Sequence, residues 1–220
     1  QALERYHQAV AMEDAREYAP ALAQFLALLT AFKPDDFEYR GSIRHIASLL
    51  RSQGFSQAAD RINTLLDLDD VAAVLTLVHM LEIGDATLLP TILEAGMRGN
   101  MHEIPYLVEL GLATGREQEL RRSLDSYLAA ARIASDVPQR YPEALAYARL
   151  AADMARVMSE QGLEGISHEN AFLFLGRIYQ QMEQWDAAQD AFVQAGEVGN
   201  DYLFELNVAH GASYLENRAV

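Results

Sequence analysis

Phe172-Leu-Phe-Leu175-Gly176-Arg-Ile-Tyr179, followed after a polar turn by Trp185-Asp-Ala187-Ala188-Gln-Asp-Ala-Phe192-Val-Gln-Ala195, is the stretch that decides the fold. Phe172, Leu175, Gly176 and Tyr179 recur at three- and four-residue spacing, which places them on one face of an α-helix. Ala188, Phe192 and Ala195 repeat that spacing on a second helix. The turn at Glu183-Gln184 is short, so the second helix folds back antiparallel to the first. Each helix carries an apolar face that it cannot bury alone, and the pair needs further helices to pack against.

The same periodicity runs outward from this pair. Ile43, Ile46, Ala47 and Leu50 carry it near the N-terminus, and Leu124, Tyr127, Leu128 and Ala131 carry it in the middle of the chain. Strand signals are nearly absent: there is no sustained alternation of apolar and polar residues and no Asn-Gly or Asp-Gly hairpin turn. The helices are cut by a recurring mark, a Gly followed by a short turn and a small or apolar pair. Gly54 precedes Ala58-Ala59, Gly84 precedes Leu88-Leu89, and Gly115 precedes Glu119-Leu120. Gly takes the left-handed conformation that ends a helix without a Cβ penalty, which lets the chain turn into its partner helix. Gly54 and Gly84 are 30 residues apart, Gly84 and Gly115 are 31 apart, and the turn at Glu183 follows after 68, twice 34. Two helices per period of about 30 to 40 residues is the signature of a helical solenoid.

Phe172, Leu175, Gly176, Tyr179, Ala188, Phe192 and Ala195 fall where the tetratricopeptide repeat family places its large residue, Leu-Gly, Tyr, small Ala, aromatic and closing Ala. The chain resembles that family over nearly its whole length. Tyr18, Ala21, Phe25 and Leu28 match the second half of the pattern and end at Lys33-Pro34, where Pro stops the helix. Ile43, Ile46, Ala47, Leu50, Gly54 and Ala59 match in the next unit. The units from Asp70 and Met101 match more loosely, with Leu89 and Leu120 where the small Ala belongs. Gly211 and Tyr214 look like the first helix of a further repeat.

The resemblance implies an all-α fold, a right-handed superhelical solenoid of antiparallel helix pairs, as a single array over residues 1–220. Its units run over approximately 2–35, 40–69, 70–100, 101–134, an irregular 135–168, 169–202 and a partial 204–220. Between Arg116 and His168 the sequence departs from the family. One long helix is expected from Gln118 to Ser135 and another from Pro142 to Gln161, two where three would ordinarily stand.

Half of the 220 residues are hydrophobic, which suffices for an extensive core. Apolar runs such as Val71 to Leu77 fall far short of the roughly 20 residues needed to cross a bilayer, so no membrane insertion is expected. The 17 basic and 32 acidic residues give a net charge of -15. That charge repels phosphate backbones and anionic membranes, so nucleic acid is not an expected partner, while basic proteins or cationic polymers are attracted. The absence of Cys removes disulfides, thiolate metal sites and a Cys nucleophile, and fits both a reducing cytosol and an oxidising periplasm. Because the sequence begins at Gln1 and not at Met, it is expected to be a processed or excised piece. Its compartment stays open, leaning to the periplasm over the cytoplasm.

No catalytic constellation stands out, and the chain is expected not to be an enzyme. His7, His45, His79, His102, His168 and His210 are scattered, without the His-Glu-x-x-His spacing of a metal site. Asp35-Asp36-Glu38 and Asp67-Asp69-Asp70 lack the loop of a calcium hand and fit helix capping instead. Phosphate-binding Gly motifs and a nucleophile elbow are missing too. No cofactor and no metal are expected. Tyr18, Phe25, Phe172, Tyr179, Trp185 and Phe192 have the spacing of inter-helix packing and not of a ligand cage.

In tetratricopeptide arrays the first helix of each repeat lines the concave surface, so the resemblance implies a groove for a partner protein or peptide. Its residues would be Arg44, Ser48 and Arg51 in one unit, Glu82 in the next, and His102 and Glu109 in the one after. Asn170, Arg177 and Gln180 would serve in the best-matching unit. The Lys and Asn with which one subfamily grips chaperone tails are replaced by Tyr6 and Val10, Arg44 and Ser48, and Val74 and Val78, so that clamp is not expected. The implied function is a non-catalytic interaction scaffold. It is similar to the periplasmic tetratricopeptide regions of bacterial outer-membrane proteins that export exopolysaccharide, which makes a cationic polysaccharide a second candidate partner. Carbohydrate or small-ligand binding beside a polymer-modifying enzyme, and a regulatory sensor domain of a larger cytosolic protein, are the alternatives.

Overall fold

The computed structural model of the chain describes residues 1–81 and 88–208. Glu82, the turn at Gly84, Gly211 and Tyr214 lie outside them. All regular structure among the described residues is helical, with no strand, as the periodicity requires. The order is α1 (Ala2–Asp14), α2 (Tyr18–Leu28), α3 (Phe37–Ser52), α4 (Ser56–Asp67), α5 (Val71–Leu81) and α6 (Leu88–Met97). It continues with α7 (Ile104–Ala113), α8 (Glu117–Ser135), α9 (Tyr141–Glu160), α10 (His168–Gln181) and α11 (Trp185–Gln194), and α12 spans 200–208. The stretch that departs from the family pattern holds the two longest of these, α8 and α9, of 19 and 20 residues. A short turn, Pro138–Arg140, joins them.

One helix ending recurs along the chain. An amide donates to the carbonyl five residues back in the pairs Glu17–Met12, Phe55–Leu50, Asp70–Leu65 and Asn100–Ala95, and again in Arg116–Gly111, Leu163–Met158 and Gln184–Tyr179. Such a bond requires a left-handed residue just before the donor. Gly54, Gly99, Gly115 and Gly162 supply it, but so do Arg16, Asp69 and Glu183, at φ 63°, 57° and 57°. The glycine mark therefore finds only some of the closures, because the bond tolerates a side chain at a conformational cost of roughly 1 kcal/mol.

The chain divides into two compact units. Gln1–Pro90 and Pro105–Glu117 form the first, and Thr91–Ile104 and Gln118–Val220 the second. In the first unit, Phe25, Ile43, Ile46, Leu50 and Ile62 are fully buried between α1–α2 and α3–α4. His45 stacks on Phe25 with ring centroids 4.6 Å apart, and its Nδ1 lies 2.6 Å from Glu13 Oε2. Tyr6 meets both rings edge-on. Burial, with smaller contributions from Glu38 and Glu13, raises the Tyr6 hydroxyl above its usual pKa. The cluster packs one face of the imidazole on Phe25 and one edge near Tyr6, and ties α1, α2 and α3 together.

In the second unit, α9 buries Ala144, Ala148, Ala151, Ala152 and Ala155, small residues that permit close helix approach. Tyr127 of α8 stacks on Tyr147 of α9 at 6.2 Å. Each lies ten residues from Val137, which makes the two helices an antiparallel hairpin. In α10 and α11, a Cβ on Gly176 would fall inside the van der Waals envelope of the Phe192 ring. That approach leaves no room for a side chain at position 176. Of the six aromatics expected to pack, Phe25, Phe172, Tyr179 and Phe192 are buried, and Tyr18 and Trp185 are half-buried.

Candidate functional site

The residues expected to line a groove divide by element. Arg44, Ser48 and Arg51 lie on α3 as an exposed stripe at spacings of four and three. Arg51 pairs with Asp60 of α4, so its charge is committed within the hairpin. His102 stands in the Met101–Glu103 turn with a largely exposed ring 3.9 Å from the Glu103 carboxylate. Glu82 lies outside the described residues.

Glu109 departs from expectation. It is 1 % exposed, and its Oε2 accepts the Ala58 N–H at 2.7 Å. Ala58 is the third residue of α4, whose N-cap position is held by Phe55, a residue with no acceptor to offer. The first turn of a helix has amides with no partner inside the helix, and α7 supplies the missing acceptor across the unit. Glu109 is thus a capping residue inside the core and not a groove residue.

The two acidic clusters also resolve unevenly. Asp70 Oδ1 accepts the Ala73 N–H at 3.1 Å and caps α5. Asp36 holds the N-cap position of α3 but turns its carboxylate back to the Lys33 N–H at 2.8 Å. Asp69 pairs with Arg40 instead of capping.

α10 begins with a side-chain cap, Ser167 Oγ accepting the Asn170 N–H at 3.2 Å. With its first turn fixed, Asn170, Phe174 and Arg177 follow along one stripe. Leu128 and Arg132, four apart on α8, face them. These side chains, with Ser167, Ala171 and Leu173, line a cleft of about 250 Å³. Gln180 is half-buried and does not line it. Structure therefore joins two of the expected residues, Asn170 and Arg177, to an Arg132 that sequence reasoning missed. The available signal was the stripe Leu124, Tyr127, Leu128, Ala131, but it says which face of α8 is apolar and not which helix that face meets.

The cleft brings two guanidinium groups together. Arg40, Arg51, Arg98, Arg140 and Arg156 each pair with a carboxylate. Arg132 and Arg177 form no ion pair among the described residues, and no carboxylate lines the cleft. The Arg177 guanidinium lies 6.0 Å from the ring of Tyr202 of α12.

A second cavity, of about 300 Å³, opens on the other side of α10. Phe172, Leu175 and Tyr179 form its apolar part, with Arg149, Asp153 and Asp190 among its polar lining. Burial raises the Tyr179 hydroxyl above its usual pKa, opposed by Arg149. Burial likewise raises the Asp153 carboxyl, opposed by Arg156, whose guanidinium lies 3.3 Å away. Among the described residues, no group of three or more His, Cys, Asp or Glu is placed to hold a metal ion, and no helix is long and apolar enough to cross a membrane. No protein-family model, curated protein or solved structure matches the chain.

Proposed function

We propose that the chain is a non-catalytic protein-interaction scaffold, one segment of a right-handed tetratricopeptide-like solenoid whose first helices offer a concave groove to a partner protein or peptide. The observation that carries this is that Asn170 and Arg177 of α10, the first helix of its unit, line one cleft, to which α8, the second helix of the unit 101–134, adds Arg132. The recurring helix closures and the antiparallel pairs α3–α4 and α10–α11 support the repeat character. Placement in a bacterial exopolysaccharide export machine belongs to the same proposal, on sequence resemblance alone. The test is to capture a partner with the immobilised protein and repeat the capture with Arg44→Glu and Arg177→Glu. A partner that binds both variants as tightly as the wild type rules the groove out.

Direct binding of a small ligand is the second proposal, favoured by the cavity between α9, α10 and α11. Its volume of about 300 Å³ and its mixture of aromatic and charged lining suit a small polar molecule. A ligand whose saturable binding is lost in Asp153→Ala but kept in Arg177→Glu would select this reading over the groove.

A further inference from the structure

We infer that the α8–α10 cleft takes an acidic side chain of an extended partner peptide, held by Arg132 and Arg177, with the peptide's neighbouring apolar residue seated against Leu128 and Phe174. This rests on the assignment of that cleft as the partner site.

Taken as a whole, the chain carries a net charge of -15, which would select a basic partner. The cleft inverts that sign. Among the described residues it is lined by two guanidinium groups and no carboxylate, in a chain where acidic residues outnumber basic ones 32 to 17. Two like charges sharing one small cleft repel each other, and nothing in the described chain neutralises them. A carboxylate relieves both at once through charge-assisted hydrogen bonds, which are about twice as strong as neutral ones. Guanidinium is the cation best shaped for that task, since its planar fork matches a carboxylate and it is weakly hydrated.

Size and shape narrow the ligand. The cleft runs along α10 from Asn170 to Arg177, about 10 Å at 1.5 Å per residue, which three residues of an extended chain would span. Its volume, about 250 Å³, admits side chains and not a folded domain. Leu128, Leu173 and Phe174 give the cleft an apolar part beside the two arginines' lining, and the Asn170 amide can both donate to and accept from a peptide backbone. The acidic surface elsewhere turns away polyanions such as nucleic acid, and a segment with one or two carboxylates beside an apolar side chain escapes that repulsion at short range.

The test uses the whole protein and two synthetic peptides with acetylated and amidated ends, one with a Glu-Leu-Glu core and one with Gln-Leu-Gln, titrated by calorimetry. The Glu peptide is expected to bind saturably and to weaken with added salt. Arg132→Gln and Arg177→Gln should each weaken it about tenfold, the factor that losing one charge-assisted bond implies, with helicity by circular dichroism unchanged. The Gln peptide should not bind. Equal binding of the two peptides, lost in Phe174→Ala but kept in both arginine variants, would retain the cleft as the partner site and overturn its acidic specificity. A third peptide, with the Gln-Leu-Gln core and a free C-terminus, completes the test: binding of it alone would move the recognised group to a chain end and overturn the side-chain assignment. Failure of every peptide would remove both the proposal and the partner site beneath it.

Discussion

Glu109 is an acidic residue on a helix expected to line a groove, and it is nevertheless inside the core, where it accepts an amide of α4 that the N-cap residue Phe55 cannot serve. Glu109→Ala should destabilise the protein by about 2 kcal/mol or more, since a buried amide loses its acceptor. Glu109→Gln keeps an acceptor and should cost clearly less, and urea unfolding monitored by circular dichroism separates the two. Asp153 presents the opposite case, a carboxyl whose burial works against its charged form. Its folded pKa is raised above the usual 3.8. Its contribution to stability is therefore fully present below that usual value and is lost as pH rises through the higher folded value. Asp153→Asn should consequently gain in Tm over the wild type as pH climbs from about 3.5 through the raised folded value, then keep a constant advantage. Thermal melts at stepped pH check it, and a difference that shrinks with rising pH would contradict the assigned sign. Neither environment was legible from sequence, where both residues are acidic positions on amphipathic helices. Gly176 was legible as part of a repeat pattern, but only the structure shows that the Phe192 ring is what closes against it.

At the scale of elements, the unit of construction is a helix closed by a left-handed residue and turned into its neighbour. Glycine carries this at Gly54 and Gly115, where the sequence marks it plainly. Glu183 carries it between α10 and α11 with a side chain, at φ 57°. Replacing a side chain by Gly in that conformation removes steric strain, partly offset by the entropy Gly loses on folding. Glu183→Gly is expected to stabilise the protein by about 0.5–1 kcal/mol, read as an upward shift of Tm with no change in helicity. The period itself is visible only because the closures repeat, so Arg16 and Asp69 escape a search for glycine although their backbones do the same work. α8 and α9 are a further case: their lengths follow from unbroken apolar spacing between breakers, whereas their pairing through Tyr127 and Tyr147 does not.

For the whole molecule, net charge and chain path both matter. A charge of -15 on 220 residues repels itself, and that repulsion weakens as the screening length falls to about 8 Å at physiological ionic strength. Tm should therefore rise when sodium chloride is increased from about 10 mM to about 150 mM, as differential scanning calorimetry can measure. A flat or falling Tm would mean that paired charges, such as Arg140–Glu143 and Arg156–Glu160, outweigh the net repulsion. The chain path is not a simple sequence of blocks. Pro105–Glu117 belongs with the first unit although Thr91–Ile104, which precedes it, belongs with the second. Glu109 lies in the returning segment, so the cap of α4 depends on chain that a cut at residue 90 would remove.

Spacing along the chain was enough to determine that this protein is helical, where its long helices run, which faces are apolar and that its net charge is strongly negative. Those properties are local or additive, and each can be read without knowing any neighbour. Only the tertiary structure decided that Glu109 is a cap, that Arg132 stands with Arg177 and Asn170 around one cleft, and that Asp153 is penalised for its charge. The physical reason is common to all three. A helical pattern records the direction in which a side chain points, but the chemistry of a site depends on what a distant helix brings to meet it. At the α8–α10 cleft that meeting sets two arginines side by side in the lining of an otherwise acidic molecule.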